Sequence, residues 1–145
     1  MATSTPAARR KARRALLQAL YQWQLAHASA HEIELYFLAH QDMSKVDRPY
    51  FSELLKGIIN EVDTLDTTIA PVLDRKVNEL TPVERGILYV GCYELMHRVD
   101  VPYKVVINEG IELAKDFGAE DSFKYVNGVL DKLSYKLRKA ERLPG

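Results

Sequence analysis

Five cationic side chains, Arg9, Arg10, Lys11, Arg13 and Arg14, fall within six positions near the start of the chain. Guanidinium groups grip phosphate oxygens with a fork of donors and also stack on exposed bases. A segment of this kind with a helical continuation points to RNA. The charge of the remaining chain sharpens the reading. All 20 acidic residues lie at Glu32 or beyond, so residue 15 onward carries 15 basic against 20 acidic side chains, although the formal net charge of the whole is zero. A basic arm on an acidic body is the asymmetry expected of a localised polyanion contact. Cations at a helix N-terminus also oppose the macrodipole, by about 0.3–1 kcal/mol at an exposed site. That argues for a partner that neutralises them; the bland alternative is a solvated, partly unfolded end.

Other residues offer less chemistry. Lys132, Lys136, Arg138, Lys139 and Arg142 form a second basic group, but Asp131 and Glu141 interrupt it, and it reads as a solvated face. His27 and His31 stand at i and i+4, a spacing that grips a metal from one helix face, yet no third ligand and no HExxH order accompanies them. Glu109 with Glu112, and Glu120 with Asp121, read as surface charge or helix caps. The sequence holds no GxSxG, P-loop or GxGxxG pattern. Gly86, Gly91, Gly110 and Gly128 are scattered within helical stretches and suit close helix approach better than phosphate cradling. Nothing here requires an enzyme, a metal or a cofactor.

The elements that must position these groups are helices. From Ala7 to about Ala28, Ala12, Ala15, Leu16, Ala19, Leu20 and Trp23 recur at helical spacing. A short helix follows over Glu32–Ala39 with Ile33, Tyr36 and Phe37 inward. Asp47 caps the next, whose stripe is Tyr50, Phe51, Leu54, Leu55, Ile58 and Ile59. Another runs from Asp63 towards Leu73 and breaks near Pro71. Thr81-Pro82-Val83-Glu84 is a capping-box pattern. The helix it opens, Pro82–Arg98, is apolar around most of its circumference and reads as the central rod. Asp100 and Pro102 signal the start of a helix carrying Val106, Ile107, Ile111, Ala114 and Phe117. Gly118 is expected to end it in a left-handed cap, and Asp121 or Ser122 to cap the last helix, with Phe123, Val126, Leu130, Leu133 and Leu137 inward. The reading is all-α, with about seven helices, and residues 1–6 frayed.

Composition agrees with a packed domain: 47% hydrophobic and 28% charged residues suffice for a core. One cysteine, Cys92, excludes an internal disulfide, and its apolar surroundings mark a buried, inert thiol. With no membrane-length apolar run and no signal-peptide pattern, the simplest address is the cytoplasm.

The run VPYKVVINEGIELAKDFGAEDS followed by KYVNGVLDK, with AARRKAR and QALYQWQL near the start, resembles the signatures of the bacterial N-utilisation substance B family of antitermination factors. The likeness extends in order from about Ala7 to about Arg138. It implies two small three-helix bundles set against each other, here about 7–73 and 77–142. It also implies binding of boxA, a short single-stranded element of leader RNA, together with ribosomal protein S10. That pair joins the antitermination complex of other Nus factors on RNA polymerase and suppresses termination, chiefly on ribosomal RNA operons. The resemblance carries RNA contact to Arg9, Arg10, Lys11 and Arg13, to which the charge pattern adds Arg14. A role beside the RNA passes to Asp121, Lys124 and Tyr125, and the S10-facing surface to Tyr21 and Glu84. Tyr89 stands where many members have arginine, putting any polar contact there in doubt. Gly110 stands where alanine is usual, and Phe123 where histidine or another polar residue is frequent. Members of the family occur as monomers and as homodimers that hide the RNA surface. Two competing expectations are the RNA-targeting domain of a ribosomal RNA cytosine methyltransferase, against which stands the absence of a methyltransferase domain after Gly145, and a purely protein-binding helical adaptor.

Overall fold

The computed structural model describes residues 4–143. They form eight α-helices: α1 (Pro6–Ala26), α2 (Ala30–His40), α3 (Arg48–Asn60), α4 (Val62–Ile69), α5 (Pro82–His97), α6 (Tyr103–Phe117), α7 (Ser122–Leu137) and the short α8 (Lys139–Arg142). Two 3₁₀ turns, Ala70–Val72 and Val77–Glu79, link α4 to α5. The all-α expectation holds, with no strand among the described residues. Packing divides the chain into two units, with the boundary between Asn60 and Glu61.

In the first unit, Thr5 caps α1 by accepting the Ala8 N–H at 3.0 Å, with Pro6 at the first helical position. Helix formation thus starts within the segment expected to fray; residues 1–3 lie outside the described ones. At the other end His27 adopts the left-handed conformation, φ 55°, and its N–H closes on the Trp23 carbonyl. α1 buries Ala12, Leu16, Leu17, Ala19 and Leu20, and packs on α3, which buries Tyr50, Phe51, Leu54, Leu55 and Ile58. Asp47 caps α3 as expected, its Oδ1 accepting the Tyr50 N–H at 3.1 Å. α2, capped by Ser29, contributes only the narrow pair Ile33 and Phe37. Tyr36, expected inward, is exposed. It sits at the edge of that narrow stripe, and its ring lies against His40 at 4.6 Å.

In the second unit, α5 is the central rod: eleven of its 16 residues are buried, and α4, α6 and α7 all pack on it. The capping box is formed, with Thr81 Oγ1 accepting the Glu84 N–H at 3.1 Å and Glu84 Oε1 accepting the Thr81 N–H at 3.2 Å. Leu130 of α7 is wedged between α5 and α6. A Cβ placed on Gly91 or on Gly110 would fall 2.5 Å from a Leu130 methyl, so both glycines exist for close approach. Gly128, expected to do the same, faces open space.

Of the two residues expected to signal the start of α6, Pro102 is its N-cap residue and Asp100 lies before it, held by the Arg98 guanidinium at 3.1 Å. Two local expectations are corrected. Gly118 ends α6 in extended backbone (φ −88°, ψ 172°) rather than a left-handed cap. Asp121 takes the left-handed turn instead, φ 69°, and caps α7 by position without a side-chain bond to the helix. The C-terminal basic group is not simply a solvated face. Arg138 is buried, and its guanidinium donates to the carbonyls of Leu95 (2.8 Å), Glu94 (3.0 Å) and Arg98 (2.9 Å), so it satisfies the C-terminus of the central rod. Arg142 is packed between Tyr103 and Tyr135, 4.4 and 3.7 Å from their ring centres, and donates to Asp131.

Candidate nucleic-acid interface

A helix cannot point five neighbouring side chains the same way, and α1 splits its cations into two sets. Arg9 and Arg13, one turn apart, face α3 and the ring of Tyr50. Their guanidinium carbons lie 4.5 and 5.6 Å from its centre. Arg9 Nε also lies 3.9 Å from Oδ2 of the buried Asp47, the residue that caps α3. Arg13 is only 3% exposed and Arg9 is half-buried. Arg10, Lys11 and Arg14 are exposed on the outer side of the same two turns. Three positive groups therefore face solvent over about 6 Å of helix axis, at roughly 1.5 Å per residue. The two inward cations hold the helix end against α3.

The other residues assigned to RNA stand at the turn before α7, in the second unit. Asp121 and Lys124 are both exposed and paired at 3.5 Å. Tyr125 is half-buried. Burial raises its hydroxyl pKa, partly offset by the charge of Arg75. The Arg75 guanidinium lies 4.2 Å from the Tyr125 ring centre and donates to Asp74 at 2.8 Å. Phe123 is half-buried, with the ammonium groups of Lys115 and Lys124 at 5.2 and 6.0 Å from its ring. Arg75 and Lys115 thus join this cluster without having been singled out in the sequence. Arg75 lies in an irregular stretch between 3₁₀ turns, where no periodicity reports a face.

The two positions assigned to a protein partner differ sharply. Tyr21 is 39% exposed on α1, one turn before Leu25, which is 61% exposed. Together they form an apolar pair on the surface of the first unit. Glu84 is buried, and both its oxygens are engaged: Oε1 in the capping box, Oε2 accepting the Ser122 hydroxyl at 3.2 Å.

At Tyr89, where the resemblance put a polar contact in doubt, the side chain makes one of its own. Its hydroxyl donates to Asp66 at 2.6 Å and accepts from Arg85 Nε at 2.6 Å. Burial first, then the Asp66 carboxylate, pushes its pKa up. Cys92 is fully buried, as expected, and burial pushes its thiol up to about 12. Among the described residues no group of three or more His, Cys, Asp or Glu could hold a metal ion, and no helix is long and apolar enough to cross a membrane.

Comparison with known proteins adds to this geometry. A family model described as the NusB family matches residues 10–135. The transcription antitermination protein NusB of Alcanivorax borkumensis is 67% identical over 138 residues, covering 95% of this chain and 92% of that protein. Its namesake from Edwardsiella ictaluri is 56% identical over 133 residues, covering 92% and 96%. Among solved structures, T. maritima NusB superposes with a TM-score of 0.82 at 30% identity, covering 97% of this chain and 98% of that one. A crystal structure of the antitermination factors NusB and NusE in complex with double-stranded RNA gives a TM-score of 0.82 at 26% identity, covering 91% and 98%.

Proposed function

The chain belongs to the NusB family, and on that premise we propose that it is a transcription antitermination factor. It binds the boxA element of leader RNA together with ribosomal protein S10, the NusE of the related complex, and joins the antitermination assembly on RNA polymerase. It works by binding, with no catalytic step and no cofactor of its own, in the cytoplasm where transcription takes place.

The observation that carries this reading is the outward set Arg10, Lys11 and Arg14 on α1, three exposed positive groups within two helical turns, the kind of cluster that attracts a polyanion. The turn at Asp121, with Lys124 and the Arg75–Tyr125 stack, supplies the second contact. Its guanidinium on an aromatic ring offers a π-face as well as charge. Tyr21 with Leu25 supplies the apolar anchor for S10, since aromatic residues with a polar tip are favoured at interface centres. Glu84 serves the partner surface through the capping box that fixes the start of α5.

Fluorescence anisotropy with a short single-stranded boxA-like RNA, with and without S10, tests this reading. Saturable binding that S10 tightens and that scrambled RNA does not reproduce is the expected result. No binding to single-stranded RNA in either condition would leave only a protein-binding role.

A further inference from the structure

We propose that a shallow cleft in the first unit, between α1 and the end of α2, receives one base of the bound RNA strand. This deepens the reading above and rests on it. Along one side of α1, Lys11, Arg14 and Gln18 follow one another at i, i+3 and i+7, so they form a single rail. The facing wall is Gln41 and Asp42, where α2 ends. The floor is apolar: Phe37 is 3% exposed, and Met43 and Val46 are each 6% exposed.

The three kinds of lining match the three parts of a nucleotide. Lys11 and Arg14 are cations of the outward set, so a strand that runs along α1 passes the mouth of the cleft. The buried apolar floor suits the face of a base. The carboxamides of Gln18 and Gln41, one on each wall, offer a donor and an acceptor apiece, the pairing that reads base edges. Gln41 closes α2 with its backbone N–H, which donates to Phe37 at 2.9 Å, so the cap does not use the side chain. Asp42 is fixed by Ser44, whose hydroxyl and N–H donate to it at 2.7 and 3.1 Å. Its negative charge disfavours phosphate on that wall and leaves the α1 rail as the side for the backbone. The base therefore points from α1 across the floor towards Gln41.

A free nucleotide shares this chemistry, and the experiment separates the two sources. A short single-stranded RNA is walked with a single abasic position and titrated onto the wild-type protein and the Gln18→Ala, Gln41→Ala double variant. Both glutamines are exposed, and circular dichroism checks that the helices are intact. On wild type, one abasic position weakens binding by about tenfold, in the range of one lost base stack. In the double variant the intact RNA binds more weakly, the abasic loss at that position shrinks by the share that the two carboxamides carried, and the salt dependence is unchanged, since no phosphate contact is removed. The inference is overturned if the double variant binds intact RNA as wild type does, or keeps the same abasic profile. It is equally overturned if free nucleoside monophosphates displace the strand at micromolar concentration, which would make this a mononucleotide site. Failure of the wild type to bind any single strand, with or without S10, sinks the underlying function instead.

Discussion

The Arg13 guanidinium lies 5.6 Å from the centre of the Tyr50 ring, inside the packing of α1 on α3. Arg13 therefore serves the fold before it serves any ligand. Arg9, over the same ring and beside Asp47, is in an intermediate position.

This division of the arm predicts its salt dependence. With three outward cations on phosphate, log K for a single strand falls with log[salt] with a slope of about −2, at roughly −0.7 per contact. Arg10→Ala and Lys11→Ala each flatten the slope by about 0.7 and leave the melting temperature within a degree or two. Arg13→Ala lowers the melting temperature instead, and changes affinity mainly through the loss of folded protein. Equal slope changes for Arg10→Ala and Arg13→Ala would show that the buried arginine also reaches phosphate.

Arg138→Ala removes the donors to three carbonyls at the end of the central rod. The Glu94 and Arg98 carbonyls keep the backbone N–H groups of Arg98 and Val101, at 3.0 and 2.9 Å, so only the Leu95 carbonyl loses its sole donor; one stranded acceptor costs about 1–3 kcal/mol when no water reaches it. The variant should lose about 1–3 kcal/mol by urea denaturation, and Arg138→Lys should recover only part of that, since an ammonium cannot reproduce the planar fork. A variant as stable as wild type would mean that water reaches that carbonyl.

Tyr21→Asp should weaken S10 binding at least tenfold, within the usual range for an interface anchor, while thermal unfolding stays close to wild type because the ring is already exposed. Calorimetric titration of S10 onto the variant decides it. Unaltered affinity would move the interface off α1.

Stability should fall on the alkaline side. Cys92 and Tyr89 both have folded-state pKa values raised by burial, the thiol from 9.0 to about 12. Above pH 9 the unfolded thiol releases its proton while the folded one keeps it, so the unfolded state binds fewer protons and stability declines with rising pH. The slope approaches about 1.4 kcal/mol per pH unit for each such group between its unfolded and folded pKa. Urea midpoints from pH 7 to 10.5 read the decline, and Tyr89→Phe should remove the part that begins near pH 10. Native Cys92 should resist iodoacetamide at pH 8.5 until the protein is unfolded.

What the sequence made legible follows physical rules of short range. The capping box at Thr81 and Glu84, the Asp47 cap and the apolar circumference of α5 were all readable, because spacing along one helix dictates them. The inward turn of Arg13, the Arg138 cap on α5 and the Arg75–Tyr125 stack were not. Each joins residues far apart in the chain, and charge patterning alone treats a cation as exposed. Gly118 misled because glycine often supplies the left-handed residue after a helix; here Asp121, three positions later, takes that conformation. Tyr36 misled because a helix with only two buried positions has no room at its edge for a third.

Leu130 gives the history of this sequence a direction. Each of its two methyl groups already rests against a glycine on a different helix, so turning away from one presses on the other. Alanine at position 110 would add about 1 kcal/mol of helix preference to α6, yet overpacking opposes it by about 1–3 kcal/mol. The order of substitution then decides survival. Alanine first is a step downhill in fitness, whereas a smaller residue at 130 first opens the way to alanine at 110 or 91. The three positions are therefore expected to change together, so that a relative with a different residue at one of them differs at another.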